Sequence, residues 1–336
     1  MKGYFFLFSL LFLQLASSGQ TIEVLTEKGG VSFRGLSIVD SKTAWVSGSS
    51  GTIGKTVDGG SSWQWLTVEG YSKTDFRDIE AFDKNRAVIM GVGSPGVILR
   101  TEDGGKTWKK AYENVHPDFF MDAMHFWNEM SGIIIGDPID GKFFILRTFD
   151  GGNTWMEMED KDRPVALEGE ACFAASGSNV TALDRDEACF VTGSGTSRIF
   201  IRDRAVTLPL QTGPSAGANA VAVKDNHKYK GGNFIYVVGG DFNNDTARAG
   251  NAAYSADRGQ TWQIPEIAPF GYRSSVEFIG KNRMIACGTS GVDISEDNGI
   301  TWRNISESGF HVVKKSKKGN LVLLAGSNGR IARLKY

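Results

Sequence analysis

TEDGGKTW, residues 101–108, places an aspartate, two glycines, two threonines and a tryptophan in eight positions. Read alone, this density of polar and turn-forming groups suits a binding loop as well as a tight turn. The octapeptide recurs as TVDGGSSW (56–63), TFDGGNTW (148–155), SADRGQTW (255–262) and SEDNGITW (295–302). All five fit Ser/Thr-x-Asp-x-Gly-x-Ser/Thr-Trp, with aspartates Asp58, Asp103, Asp150, Asp257 and Asp297. The tryptophans Trp63, Trp108, Trp155, Trp262 and Trp302 stand 45, 47, 107 and 40 residues apart. The long interval spans about two and a half periods, so one unit there has lost its octapeptide.

Other parts repeat with it. A short strand opens the units: FRGLSI (33–38), FRDIEAF (76–82), FMDAMHF (120–126) and YRSSVEF (272–278). A second apolar strand runs into a glycine-rich turn, as in AWVSGSSG, AVIMGVGSPG, GIIIGDPIDG and MIACGTSG. A third runs into the octapeptide and the fourth follows it. Apolar positions alternating between turn signals read as strands, and four short strands per forty-odd residues is the period of a β-propeller blade. The expected fold is therefore all-β, a single seven-bladed propeller with six or eight blades as alternatives. The blades fall near 28–70, 71–115, 116–163, 164–212, 213–268, 269–307 and 308–336. The last is one strand short, and TIEVLTE (21–27) is expected to supply it and close the ring. Blade 4 lacks the octapeptide, RIFIRDRAV (198–206) holding its place, and blade 5 carries an insertion, DFNNDTARAGN (241–251).

The repeated octapeptide resembles the Asp-box, or bacterial neuraminidase repeat. With GTIGKTVDGGSSW and GVILRTEDGGKTW as its best examples, the chain is similar to the photosystem II stability/assembly-factor-like family of YVTN/BNR-like propellers. That resemblance implies a seven-bladed ring and, in photosynthetic members, an assembly role. Sialidases, sortilin-type receptors and xyloglucan-cleaving hydrolases share the box, so it speaks for architecture, not for one function. Five equivalent catalytic sites are implausible. The aspartate is read instead as an acceptor for backbone N–H groups across the turn, the conserved-pattern glycine as the residue that takes a positive φ, and the tryptophan as apolar filling between blades.

At the N-terminus, Lys2 precedes an apolar run over residues 4–15, then Ala16, Ser17, Ser18 and Gly19. This is the pattern of a secretory signal peptide, 1–19, with a signal anchor as the alternative. The expected location is secreted or periplasmic, without stable membrane insertion after the leader is removed, and as a monomer. The net charge of −1 and scattered lysines and arginines give nucleic-acid binding no support. Forty-two glycines against eight prolines indicate many tight turns. Cys172 and Cys189 can pair oxidatively in an exported protein, but the odd count, with Cys287, favours buried free thiols. No metal-ligand spacing or dinucleotide fingerprint appears, and no cofactor is called for.

Propeller ligands are expected on the face opposite the octapeptide turns, where the first strands begin. Aligned first strands place Arg34, Arg77, Arg273 and His311 in neighbouring blades 1, 2, 6 and 7. Such a basic arc suits a carboxylate, sulfate or acidic peptide; the alternative is that the arginines pair with Asp78 or Glu170 and only brace the channel. The expected partner is a protein or an anionic or glycan ligand at the channel mouth. Glu170, Asp122, Asp137 and Asp241 are the candidate catalytic carboxylates of a second reading, a glycosidase, although a sialidase Arg-Ile-Pro motif is absent. Asp241, Asn243 and Asp245 have the spacing of a calcium loop, but Thr246 stands where glycine is wanted and no glutamate closes the loop. Ser176 and Ser274 are read as channel-lining residues, with no histidine or aspartate assigned to activate either.

Overall fold

The computed structural model describes residues 19–185, 187–229 and 231–336. The leader expected at 1–19 lies outside the described residues except for Gly19. Among the described residues the chain forms seven antiparallel sheets, six made of strands consecutive in sequence and one that joins the first strand to the last three. In blade 1 the order from the channel outward is Phe33–Ile38, Ala44–Gly48, Thr52–Thr56 and Gln64–Thr67. The seventh sheet combines Val312–Lys315, Val322–Ala325 and Arg330–Lys335 with Thr21–Glu27. There Ile22 lies opposite Leu334 and Val24 opposite Ala332, so the ring closes through the first strand as expected, and an edge that would otherwise be open is paired.

The second strands do not alternate. Ala44–Gly48, Ala87–Gly91 and Met284–Gly288 are buried at every position, because each sheet is covered by a neighbouring blade on both faces. The outer strands, with one side in water, keep polar residues: Lys109–Asn114 has no buried position. Blade 5 departs from the four-strand pattern. Its sheet holds Ala216–Val223, Ile235–Asp241 and Ala252–Ser255, and the fourth strand is reduced to one bridge, Tyr254 with Gln263. Pro265 and Pro269 follow, and a residue without an N–H cannot extend a ladder. The chain instead crosses to blade 6, where Ile267 bridges Thr301.

The octapeptide hairpins share one bonding pattern. The Thr101 hydroxyl donates to Asp103 Oδ1 and accepts the Gly105 N–H, each at 3.0 Å. Asp103 also accepts the Thr107 N–H at 2.9 Å and the Thr107 hydroxyl at 2.6 Å. The same aspartate bonds recur at Asp58, Asp150, Asp257 and Asp297. These donors favour the charged form and hold the Asp58 and Asp103 carboxyls down at about 2. Gly105 has φ +86°, and a Cβ there would lie 2.8 Å from Leu66 and 3.2 Å from Trp45 of blade 1. The glycine thus lets each hairpin press against the preceding blade. Cys172, Cys189 and Cys287 are buried free thiols.

Candidate functional site

The innermost strands enter the ring with an irregularity that decides where the site lies. In blades 1, 2, 3 and 5 the pairing register slips between Phe33 and Gly35, Phe76 and Asp78, Met121 and Ala123, and Ala218 and Ala220. Each slip leaves one extra residue: Arg34, Arg77, Asp122 and Asn219. A bulge re-aims the side chain it carries, and all four border one cavity of about 420 Å³ at the channel mouth. His311 and Ser274 border it as well, and Phe120, Phe173, Phe242 and Tyr272 supply apolar walls.

Arg34 and Arg77 are brought together as the first-strand alignment expected. Arg34 donates to the Ala175 carbonyl at 3.1 Å and has no ion pair among the described residues. Burial and the Arg77 charge lower its pKa, so it is a cation held against its preference. Arg77 is partly neutralised by Asp75, at 2.8 Å from its Nε, and reaches the Ala174 carbonyl at 3.4 Å. Its guanidinium lies 5.8 Å from the centre of the Phe120 ring. The bracing partners Asp78 and Glu170 are not the ones used. Asp78 accepts the N–H groups of Ile79 and Met124, and Glu170 binds Arg198.

Two members of the arc need correction. Arg273 does not reach the cavity: its side chain is 0% exposed and sits 2.7 Å from Asp293, with further bonds to the Tyr272 carbonyl and Ser290 hydroxyl. In blade 6 the ladder begins at Ser275, opposite Cys287, and the Ser274 N–H bonds the same Cys287 carbonyl at 2.9 Å. Ser274 is therefore the residue that borders the cavity, and Arg273, one position earlier, turns into the blade. His311 does border the cavity, but burial and the charges of Arg34 and Arg77 bring its pKa down to about 3. It is a neutral imidazole, and the arc is a pair of arginines beside it.

The candidate carboxylates separate into two groups. Glu170 is fully buried between Arg198, the Thr192 hydroxyl and the Leu167 N–H, which corrects its reading as an available acid. Asp241 accepts the Ser215 hydroxyl at 2.7 Å and the Asn243 N–H at 2.9 Å, and so organises its own loop. Asp122 borders the cavity, and Asp137 lies next to that wall, bonded to the Cys172 backbone. Asp122 has 0% exposure and no hydrogen bond of good geometry to either carboxyl oxygen, although the N–H groups of Asp137 and Ala174 face it. Burial, and then the Asp137 charge, push its pKa well above the usual range. Asp137 accepts the Cys172 N–H at 2.9 Å, and burial raises it to about 6.

The calcium-loop pattern is used otherwise. Asp241 is tied to Ser215, while Asp245 accepts the Thr289 hydroxyl at 2.7 Å. No group of three or more histidine, cysteine or acidic side chains with metal-holding geometry occurs among the described residues. The Ser176 hydroxyl donates to the Ser274 carbonyl at 2.6 Å, and the Ser274 hydroxyl to the His311 carbonyl at 2.6 Å. Both are bracing bonds across blades. Asn219 and the aromatic walls were not singled out in the sequence. Asn219 accepts the Tyr272 hydroxyl at 2.8 Å, and the only cue to it, a polar residue inside AGANAVAV, is one that register alone makes legible.

What the mouth can do chemically follows from this inventory. One unpaired and one half-paired guanidinium offer bidentate donors for a carboxylate. The aromatic walls accept an apolar group beside it, and the neutral Asp122 and His311 add no opposing charge.

The sequence pattern of the family described as "Photosynthesis system II assembly factor YCF48" matches residues 14–116 and 65–205. No curated protein matches the chain. Among solved structures it is similar to "YCF48 bound to D1 peptide", at 16% identity, TM-score 0.64 and 96% coverage of each chain. It is also similar to YCF48 from Cyanidioschyzon merolae, at 17% identity and TM-score 0.66, covering 93% of this chain and 98% of that one. The WD40 propeller domain of Doa1 follows at 10% identity and TM-score 0.59, covering 94% and 97%. At these identities the structural likeness speaks for the fold.

Proposed function

The chain belongs to the photosynthesis system II assembly factor YCF48 family, and from that premise we propose that it is a non-enzymatic binding propeller whose channel-mouth cavity receives a carboxylate-bearing segment of a partner protein. The observation that carries this reading is Arg34, a half-buried guanidinium with no ion pair among the described residues, next to Arg77 in an aromatic-walled cavity. Leaving such a cation without an acid partner is costly, and an incoming carboxylate offsets that cost. The related structure holding a D1 peptide supports a peptide as the class of ligand. Residues 1–19 act as an export leader in this reading, and the monomeric ring works outside the cytoplasm.

The test is a panel of labelled peptides with free or amidated C-termini and with or without acidic side chains, titrated by fluorescence polarisation. Acid-bearing peptides bind, and Arg34→Ala combined with Arg77→Ala removes that binding with little change in melting temperature. Equal binding by the double variant, or no preference for carboxylates, refutes the proposal.

A further inference from the structure

The inner strands run from the cavity face to the face that carries the octapeptide hairpins, so their last residues and the turns that follow ring the far exit of the channel. In blade 7 that stretch reads VVKKSKKGN, residues 312–320. Lys314 and Lys315 end the strand Val312–Lys315, and Lys317 and Lys318 occupy the turn. The turn lies on blade 1, with the Lys317 N–H donating to the Ile38 carbonyl at 3.0 Å and the Lys318 N–H to Val39 at 3.2 Å. Lys42 stands on the adjoining turn of blade 1, and Lys281 on the matching turn of blade 6. Lys317 is taken up by Glu80, but Lys42, Lys281, Lys315 and Lys318 have no ion pair among the described residues. Lys42, Lys281 and Lys318 are exposed. The equivalent turns of blades 3 and 4 carry Glu129, Asp184 and Glu187 instead. In blade 2 Arg86 is paired with Asp83 and Glu129, and in blade 5 Lys228 is paired with Asp225 and Lys224 bonds Asn282 and Asn298. The exposed lysines of these turns without an ion pair among the described residues therefore run from blade 6 through blades 7 and 1 to Lys84 of blade 2.

A second observation points to the same side. The Gln20 side chain donates to Glu296 of the blade 6 hairpin at 3.1 Å, and Thr21 pairs with Lys335. The chain therefore enters the ring on the hairpin face, between blades 6 and 7. Upstream lies the apolar run of residues 4–15, and the five residues from its end to Gln20 reach at most about 18 Å. A bilayer holding that run lies within reach of these lysines. Tyr336, 51% exposed and 5.1 Å from Arg283 across its ring, adds an aromatic of the type that settles at a membrane interface.

We propose that the hairpin face of blades 6, 7 and 1 is a docking surface for an anionic phospholipid bilayer, which leaves the channel-mouth cavity facing away from the membrane. Exposed lysines without a fitted acidic partner suit the diffuse charge of lipid headgroups, each adding a modest increment near the surface. While the apolar run is attached, it and the lysines act on the same bilayer; once it is removed, the lysines give a weaker, salt-sensitive adsorption.

Residues 20–336 contain every strand of the ring and serve for the test. Sedimentation with phosphatidylcholine vesicles is compared with vesicles that also contain phosphatidylglycerol. Binding to the anionic vesicles alone is expected, with loss at about 1 M NaCl, where the Debye length is about 3 Å. Lys42→Glu, Lys281→Glu and Lys318→Glu together lower the partition at least about tenfold. The same charge change on the cavity face, Lys73→Glu, Lys161→Glu and Arg248→Glu, leaves it within about twofold. Absence of lipid selectivity, survival of binding in high salt, or equal losses from the two triple variants overturns the proposal; capture of an acidic protein without vesicle binding does so as well.

Discussion

Substituting Arg273→Met leaves Asp293 inside blade 6 without its cation. Both side chains are 0% exposed, and Asp293 Oδ2 lies 2.7 Å from the guanidinium. Removing one partner of a buried pair costs about 3–5 kcal/mol, since the remaining charge keeps its desolvation penalty without its Coulombic partner. Asp293 retains the Phe270 N–H at 2.8 Å and the Asn304 amide at 3.0 Å. Those two donors place the expected loss near the lower end, about 3 kcal/mol. The double substitution Arg273→Met with Asp293→Leu removes both charges and recovers most of that loss, giving a large coupling energy in a double-mutant cycle. Guanidinium chloride unfolding followed by tryptophan fluorescence measures all four corners. A single-variant loss below about 1 kcal/mol, or a double variant less stable than either single one, refutes a charge-pair role. Peptide affinity separates this residue from the cavity arginines: Arg273→Met leaves the affinity of folded protein unchanged. A drop matching that of Arg34→Ala would return Arg273 to the site.

Asp122, raised well above the usual range, favours its neutral form, whereas Asp137, raised to about 6, is ionised at neutral pH and loses its charge as pH falls through about 6. Carboxylate-peptide affinity therefore rises as pH falls from neutrality through about 6 and drops again once the ligand itself protonates, a profile that Asp137→Asn flattens in calorimetric titrations. For stability, Asp137 and Asp78, the latter raised to about 7 by burial, contribute most below their unfolded value of 3.8, and this is lost as pH rises through about 6–7. Asp58 and Asp103, lowered to about 2, contribute above 3.8 and lose it as pH falls through about 2. Melting scans thus peak at mildly acidic pH; a monotonic rise to pH 8 contradicts the assignment. Gly105→Val costs roughly 1–3 kcal/mol through its left-handed φ and its approach to Leu66 and Trp45; an unchanged melting temperature counts against the hairpin clasp. Deleting residues 21–27 bares the edge of Arg330–Lys335 and produces association in sedimentation velocity runs, which the heptapeptide added in trans suppresses; a monodisperse, equally stable deletion would show that closure is dispensable.

The ring was legible because its signal is periodic and local. Each hairpin carries its own aspartate bonds, glycine and tryptophan, so five copies reveal the blade length even where blade 4 has none. The reduced fourth strand of blade 5 depends on Pro265 and Pro269 interrupting a ladder, which the period alone does not report. The site was legible only in part, and the reason is one residue of register. FRGLSI and FRDIEA place Arg34 and Arg77 on the bulge itself, whereas in YRSSVEF the position that reaches the cavity is Ser274, whose N–H shares the Cys287 carbonyl, and the arginine falls one residue earlier. One position short of the bulge, Arg273 turns into the blade, and there Asp293 neutralises it. The bulge in blade 3 falls on Asp122, not on the neighbouring Met121 of the aligned column, and the one in blade 5 selects Asn219.

That same irregularity explains why the two faces of the ring serve different ends. On the hairpin face the backbone follows one rule repeated around the circle, and its aspartates are consumed by hydroxyl and N–H donors within each turn. On the cavity face the bulges put different side chains at equivalent points, two guanidiniums, a carboxyl and an amide, while the blade 4 segment at Ala174 and Ala175 meets both arginines with carbonyl oxygens rather than carboxylates. Carbonyls satisfy hydrogen bonds but leave the charge standing. A site in which the repeat is broken, Asp122 is held neutral and one arginine keeps its charge is selective for an anion by construction, and a substitution that supplies an internal acid there should close it. Ala175→Asp provides that acid beside Arg34: it raises thermal stability while lowering peptide affinity, and a variant that binds peptide as the parent does would show that Arg34 is not where the carboxylate rests.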